Sequence, residues 1–169
     1  MKVLIAYGTR KGATAETAQV IAETLRKEYS FDVDVVDLKR DKNLVKKMNL
    51  RQYDAVFIGS GIAVGRWTKE AKEFLRSDFG DTMIAIFVSA AATCREAELK
   101  EDWKTYQMHE SKYIDEVVSK YSIVPFAKRA FGGRMIFFGN TTLDNWDRDI
   151  IVSWTTDAGK ILTSAIQLV

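Results

Sequence analysis

The chain opens with an apolar run that passes through a short loop into a helical pattern. The run from Val3 to Ala6 is continuous, which is typical of a strand buried on both faces of a parallel sheet. From Ala13 onward, apolar residues recur at helical spacing and charged residues occupy the other face. Because the first N–H groups of a helix have no acceptor within it, this order predicts an anion-binding site.

The loop between this strand and helix contains the residue types that a phosphate site needs. Its glycines let the backbone curl tightly around an anion, and its threonines offer hydroxyl donors. Its two basic side chains add positive charge at the rim. An ordinary strand-to-helix turn capped by threonine is the alternative. We predict that the loop residues that hold the phosphate are Thr9, Arg10, Lys11, Gly12, Ala13 and Thr14.

Two well-known phosphate loops do not match this segment. The P-loop requires its lysine after the second glycine, whereas Lys11 precedes Gly12. The dinucleotide-binding loop requires three glycines in the order G-x-G-x-x-G, and the segment lacks them. The sequence therefore favours neither a P-loop NTPase nor a dinucleotide-binding fold.

The loop resembles the phosphate loop of the flavodoxin family. In that family a hydroxyl residue, two variable residues, a glycine, a variable residue and a threonine follow the first strand, and Thr9 to Thr14 match this order. The resemblance implies that the loop holds the phosphate of FMN without a metal ion. The Arg10-Lys11 pair departs from the family, whose loops often have no basic side chain there.

Composition predicts one domain, covering residues 1–169. A chain of 169 residues with 47% hydrophobic residues can bury one substantial core. No apolar run reaches the roughly 18 residues that span a bilayer, and the first strand begins at Lys2, so we expect no signal peptide. The lone Cys94 excludes an internal disulfide, which favours a cytoplasmic location. A net charge of +2 is too small to indicate a nucleic-acid partner.

The rest of the chain alternates strands with helices. Four further strands are predicted, at Phe31–Val36, Asp54–Gly59, Thr82–Val88 and Ala130–Gly139. Helices are predicted at about 68–77, at about 115–120 with an upstream extension, and at the C-terminus. This pattern indicates a doubly wound, five-stranded parallel α/β sheet, flavodoxin-like, with strand order 2-1-3-4-5. The ligand is expected where the carboxyl ends of strands one and three meet.

The segments after strands three and four are also predicted to contact the cofactor. The first is rich in glycine and ends in an aromatic residue, as a flat ring requires, although Trp67 can alternatively pack on the sheet at the start of a helix. The second consists mostly of small and polar residues, so its backbone N–H groups can donate to the carbonyl oxygens of the flavin ring. The predicted cofactor-binding residues of these segments are Ser60, Gly61, Ile62, Ala63, Trp67, Ser89, Ala90 and Ala91.

Within the flavodoxin family the chain is most similar to the branch that includes the menaquinone-dependent protoporphyrinogen oxidase of bacteria. The segments that carry this similarity are Gly8–Thr14 and Gly59–Gly65. We favour an FMN-binding electron carrier. A flavin-dependent protoporphyrinogen or quinone oxidoreductase is the alternative, and it requires an apolar pocket between Trp67 and residues 140–146. A non-redox α/β binding module is a third possibility.

Basic residues near the predicted site suggest the chemistry of the partners. Nearby cations favour an anionic flavin, so we expect a less negative hydroquinone potential and redox partners with acidic docking faces. Trp103, Tyr106 and Tyr113 could line a homodimer contact, or could equally pack on the sheet. His109 is expected on the surface, and we predict no catalytic side chains and no metal ligands. The basic residues are Arg10, Lys11, Arg66, Lys69 and Arg95.

Overall fold

Five parallel strands form the centre of the molecule in the order β2-β1-β3-β4-β5. The computed structural model describes residues 1–90 and 93–166. Val3 of β1 pairs with Val33 of β2 and with Ala55 of β3, so the first three strands run in close register. This order confirms the predicted doubly wound sheet. The strands are β1 (Lys2–Gly8), β2 (Asp32–Asp37), β3 (Ala55–Ile62), β4 (Met83–Ala90) and β5 (Ala127–Phe131).

Helices connect the strands, and a two-stranded antiparallel hairpin lies between β5 and the last helix. The hairpin consists of β6 (Arg134–Phe137) and β7 (Asn140–Asp144). A short π-helical turn at Ser111–Asp115 follows the fifth helix. The helices are α1 (Ala13–Tyr29), α2 (Lys42–Val45), α3 (Lys69–Phe74), α4 (Thr93–Leu99), α5 (Trp103–Glu110), α6 (Glu116–Val118) and α7 (Arg148–Ile166).

Both faces of the sheet are buried, which explains the continuous apolar runs in the strands. Side chains alternate between the faces, so Leu4 packs with the α3 and α5 side of the core while Ile5 packs with the α1 and α7 side. Phe57 and Phe87 of the central strands are fully buried on the α1 and α7 side. Helix α1 covers this face; it begins just after the carboxyl end of β1 and packs against the sheet.

The predicted fifth strand is wrong in its bounds. It was expected at Ala130–Gly139, but β5 begins at Ala127 and ends at Phe131. Gly132 lies so close to the returning chain that a Cβ on it would be 1.7 Å from the carbonyl oxygen of Asn145. The chain therefore turns out of the parallel sheet at Gly132, and the residues after Gly133 form the hairpin instead.

Strands β3 and β4 continue further than the sequence pattern indicates. They were predicted to end at Gly59 and Val88, but they reach Ile62 and Ala90. Small residues pair across these extensions, with Gly61 opposite Ser89. Ser60, Gly61, Ser89 and their neighbours are therefore held on strands rather than in loops.

Candidate functional site

The turn from β1 into α1 leaves the start of α1 without a side-chain cap. Gly12 is the N-cap residue and adopts a φ of +91°, a left-handed conformation that favours glycine. Its own N–H donates to the Oγ1 of Thr9 at 3.0 Å, which holds the loop closed. Because no side chain in the described part of the chain caps the helix, the N–H groups of its first turn are available to a ligand.

A narrow crevice lies at this turn, between the carboxyl ends of β1 and β3, and we call it the β1–β3 crevice. Its cavity volume is about 40 Å³. A single water needs roughly 10–15 Å³ on this scale, so the crevice suits a small anion such as a phosphoryl group. The residues that line it are Thr9, Arg10, Lys11, Ala13, Thr14, Gly61, Ile62, Ala63, Ser89, Gly133 and Arg134.

Ser89 supplies a polar atom without a partner in the wall of this crevice. Ser89 is only 5% exposed, and its Oγ has no hydrogen-bond partner among residues 1–90 and 93–166. An unpaired buried hydroxyl costs free energy, and such groups are rare in native proteins. An oxygen atom of a bound anion would accept a hydrogen bond from this hydroxyl. Ser89 is therefore suited to the wall of an anion-binding site.

Arg134 reaches the crevice from the β6–β7 hairpin and is not among the residues predicted from the sequence. It forms an ion pair with Glu16 in the first turn of α1 and a second one, at 2.9 Å, with Asp144. The Gly132-Gly133 pair before it favours a bend, but the predicted strand Ala130–Gly139 includes both glycines and Arg134. No local pattern shows that the hairpin folds back onto α1.

Four predicted site residues lie away from the crevice or outside the described residues. The Ser60 hydroxyl accepts a 3.0 Å hydrogen bond from the Thr68 N–H on the opposite side of the sheet. Trp67 is 6% exposed and packs in the core on that side. Ala90 is also in that core, and Ala91 lies outside the described residues.

The charges around the crevice differ from the predicted set. Arg95 lies in ion pairs with Glu98 at 2.9 Å and with Asp147 at 2.8 Å, so its charge is neutralised. Arg10, Lys11 and Arg66 are exposed on the loops near the crevice. The crevice therefore retains a basic rim, although a smaller one than the sequence suggested.

The ion pairs of the hairpin shift the titration of its groups. Hydrogen bonds to Glu16 and Asp144 raise the pKa of the Arg134 guanidinium above its ordinary value. The same contact with Arg134 lowers the pKa of Asp144, with the Trp146 N–H adding to this effect. Both groups therefore remain charged at neutral pH, and the guanidinium stays beside the crevice.

The structure decides where the histidine and the aromatic residues of the second half of the chain lie. His109 is half-buried and stacks on Tyr113, with ring centroids 6.1 Å apart. Tyr106 and Tyr113 are buried in the core, which agrees with the packing alternative, whereas Trp103 is 50% exposed and remains available for a dimer contact. The expectation of a surface histidine is therefore wrong.

A larger groove of about 520 Å³ lies between α2 and α3, away from the crevice. Its floor is apolar, with Leu38, Leu50 and Phe74 among its residues. Within residues 1–90 and 93–166, no helix is long and apolar enough to cross a membrane. The same residues contain no cluster of three or more acidic, histidine or cysteine side chains that could hold a metal ion.

Residues 4–156 match the family model of the flavodoxin domain. The chain belongs to the flavodoxin-domain family. Membership implies a flavin cofactor, and the β1–β3 crevice fits the phosphoryl end of such a group, because it has uncapped helix N–H groups and an unpartnered hydroxyl.

Known members of this family and of its fold include both oxidoreductases and flavodoxins. Protoporphyrinogen IX dehydrogenase (quinone) of Escherichia coli strain K12 is 31% identical over 100 residues, which cover 58% of this flavodoxin-domain chain and 52% of that protein. The chain thus aligns with about half the length of the curated relatives that it matches.

Two solved structures share the fold at low sequence identity. Flavodoxin 2 from Bacillus cereus is 17% identical with a TM-score of 0.53, and the match covers 98% of this chain and 99% of that one. An NAD(P)H:quinone oxidoreductase from Methanothermobacter marburgensis is 14% identical with a TM-score of 0.61, covering 94% and 97%. These likenesses establish the fold.

Proposed function

We propose that this flavodoxin-domain protein binds FMN and transfers electrons between redox partners. The observation that carries the proposal is the unpartnered Ser89 hydroxyl in the wall of a crevice at the uncapped start of α1. A phosphoryl group in the crevice would accept hydrogen bonds from both. Bound FMN would supply one- or two-electron transfer, which the side chains of the site do not perform themselves.

Each part of the crevice has a separate role in this proposal. Thr9 holds the loop closed through its hydrogen bond from the Gly12 N–H. The N–H groups of Ala13 and Thr14 would donate to the phosphoryl oxygens of bound FMN. Ile62 and Ala63 form the apolar edge, where the flavin ring would contact the protein. The loop is thus preformed, which reduces the entropy cost of binding.

An electron carrier is favoured over a porphyrinogen or quinone oxidoreductase. The oxidoreductase alternative requires a substrate pocket between Trp67 and the segment 140–146. In the structure Trp67 packs on the α3 and α5 side of the sheet, whereas Trp146 packs on the α1 and α7 side. These two aromatic residues therefore do not enclose a common pocket.

The basic rim supports partners with acidic docking faces. Arg10, Lys11 and Arg66 are exposed near the crevice, and opposite charges on a partner would speed association. The same cations would favour an anionic reduced flavin and make its potential less negative. A homodimer through Trp103 is a further proposal, which sedimentation would test.

Flavin titration of the purified apoprotein tests the proposed function. We expect FMN to bind with perturbed visible absorption and quenched fluorescence, and riboflavin to bind much more weakly because it lacks the phosphate. Failure of FMN to bind would overturn the proposal and favour a non-redox binding module. Turnover of protoporphyrinogen or a quinone by the FMN-loaded protein would favour the oxidoreductase alternative.

A further inference from the structure

The β6–β7 hairpin is fastened to the first turns of α1, beside the β1–β3 crevice. Arg134 pairs with Glu16, and the indole N–H of Trp146 donates to the Thr17 hydroxyl at 3.1 Å. The Asn145 N–H donates to the Gly133 carbonyl at 3.0 Å and closes the base of the hairpin. The hairpin therefore has a defined position relative to the loop that is proposed to hold phosphate.

Two ion pairs orient the guanidinium of Arg134, but they do not involve all of its nitrogen atoms. The ion pairs use Nη1 toward Glu16 and Nε toward Asp144. The guanidinium carbon lies 5.2 Å from the centre of the Trp146 ring. Nη2 takes part in neither ion pair, and Arg134 lines the crevice. Its side chain is 21% exposed, so the charge is partly shielded from water.

We propose that Arg134 binds the phosphoryl group of the cofactor and makes the site selective for FMN over riboflavin. This inference rests on the proposed function of the crevice. The α1 turn would offer main-chain N–H donors to the anion, and the hairpin would offer the Arg134 guanidinium. Residues of both elements line the crevice. Guanidinium groups suit this role because they stay charged and present several N–H donors in one plane.

The position of Glu16 supports this role. Its carboxylate lies in the first turn of α1 and contacts Arg134, which lines the crevice, so an unpaired Glu16 would repel a phosphate bound there. The ion pair with Arg134 neutralises that carboxylate, while the guanidinium still has donors for the ligand. Arg134 therefore removes an unfavourable charge and adds a favourable contact in the same place.

Three variants separate ligand binding by Arg134 from a structural role of its ion pair. R134Q removes the charge, and E16Q breaks the same ion pair but keeps the guanidinium. R148Q is the matched control, because Arg148 pairs with Glu23 of α1 at 2.8 Å and neither residue lines the crevice. The affinities of FMN and riboflavin are measured for each by fluorescence titration.

We expect R134Q to weaken FMN binding by about tenfold to a hundredfold, because it loses hydrogen bonds to a charged group. Riboflavin affinity should stay within about twofold of the wild type in every variant, the margin expected of surface changes. FMN should bind E16Q at least as tightly as the wild type, and R148Q equally well. A purely structural ion pair would instead make R134Q and E16Q weaken both flavins equally.

The outcomes also distinguish this inference from the proposed function. If the wild type does not bind FMN, the proposed function fails. If the wild type binds FMN and R134Q binds it equally well, only the role of Arg134 fails. Should R134Q not fold, E16Q decides: FMN binding at least as tight as in the wild type supports the role, and a tenfold loss overturns it.

Discussion

The indole N–H of Trp67 donates a 2.6 Å hydrogen bond to the backbone carbonyl oxygen of Tyr113. The contact joins the residue before the N-cap of α3 to the π-helical turn at Ser111–Asp115, two parts of the chain that are far apart in sequence. A carbonyl within a π-turn accepts the bond, and the indole fills the core on the α3 and α5 side. Trp67 is therefore a packing residue in this structure.

Replacing Trp67 with phenylalanine should destabilise the fold without changing flavin binding. The variant loses one buried hydrogen bond and some packing, which costs about 1–3 kcal/mol of unfolding free energy. W103F is the control: Trp103 is half-exposed, so its replacement should lower the free energy of unfolding by less. Urea unfolding and FMN titration measure the two effects. A large loss of FMN affinity in W67F would restore the stacking role that the sequence suggested.

Replacing Ser89 with alanine should weaken FMN binding while leaving the apoprotein at least as stable as the wild type. The buried hydroxyl has no partner in the described structure, so its removal relieves a desolvation cost. One hydrogen bond to a charged group is worth about 1.5–3 kcal/mol, which predicts roughly a tenfold to hundredfold loss of affinity.

Ser60 provides the matched control for this variant. It is buried on the neighbouring strand, but its hydroxyl accepts the Thr68 N–H, so S60A should destabilise the apoprotein by about 1–3 kcal/mol. Thermal unfolding of both apoproteins gives the comparison. An S89A apoprotein that is destabilised as much as S60A would mean that Ser89 has a structural partner rather than a role in ligand binding.

The ion pair of the hairpin should be visible in the titration of Asp144. The hydrogen bond from Arg134 holds the pKa of this carboxyl below its ordinary value of 3.8. Folding favours the charged form of Asp144, so the ion pair stabilises the folded state when the pH is above the ordinary pKa of 3.8. This stabilisation is lost as the pH falls through the lower pKa of the folded state. The group is about half-exposed, so the effect on stability is small.

Carboxyl NMR measures this shift directly. We expect Asp144 to titrate below pH 3.8 in the wild type and close to its ordinary value in R134Q. Asp78 is the internal control, since its pKa is lowered by Arg51 and should not change in R134Q. Equal titration of Asp144 in both proteins would show that the ion pair does not persist in solution.

The basic rim should set the direction of the flavin potential. We expect the hydroquinone potential to be less negative than in a flavodoxin with acidic surroundings, because exposed cations favour the anionic form. The double variant R10Q/K11Q should shift the potential to more negative values, by less than about 60 mV because water screens exposed charges. Spectroelectrochemical titration measures both values. A wild-type potential as low as that of the strongest flavodoxin reductants contradicts the prediction.

Local sequence patterns predicted the sheet well because its strands are buried on both faces. The continuous apolar runs around Ile5, Phe57 and Phe87 are typical of strands covered on both faces, and all three residues are buried in the core. The strand ends were less predictable. Gly61 and Ser89 have no strong strand preference, but they pair because the neighbouring strands place them side by side.

Part of the candidate site depends on contacts that no local pattern contains. Nothing in the local sequence distinguishes Arg134 from another basic residue after a glycine pair. Its contacts with Glu16, Asp144 and Trp146 hold its side chain in position. Trp67 had two possible roles in the sequence, and only the packing partner, Tyr113, decided between them. Both results involve residues that are distant in the chain.

The sequence by itself determined the parallel α/β fold, the strand order and the position of the glycine and threonine loop. The alternation of strands and helices and the place of the loop follow from the period and continuity of apolar residues, which are local properties, and the strand order is what the doubly wound, flavodoxin-like pattern implies. The tertiary structure alone decided that the chain leaves the sheet at Gly132, that Arg134 reaches the crevice and that Ser89 has a buried hydroxyl without a partner. Such features depend on which side chains meet across the fold, and no local spacing contains that information.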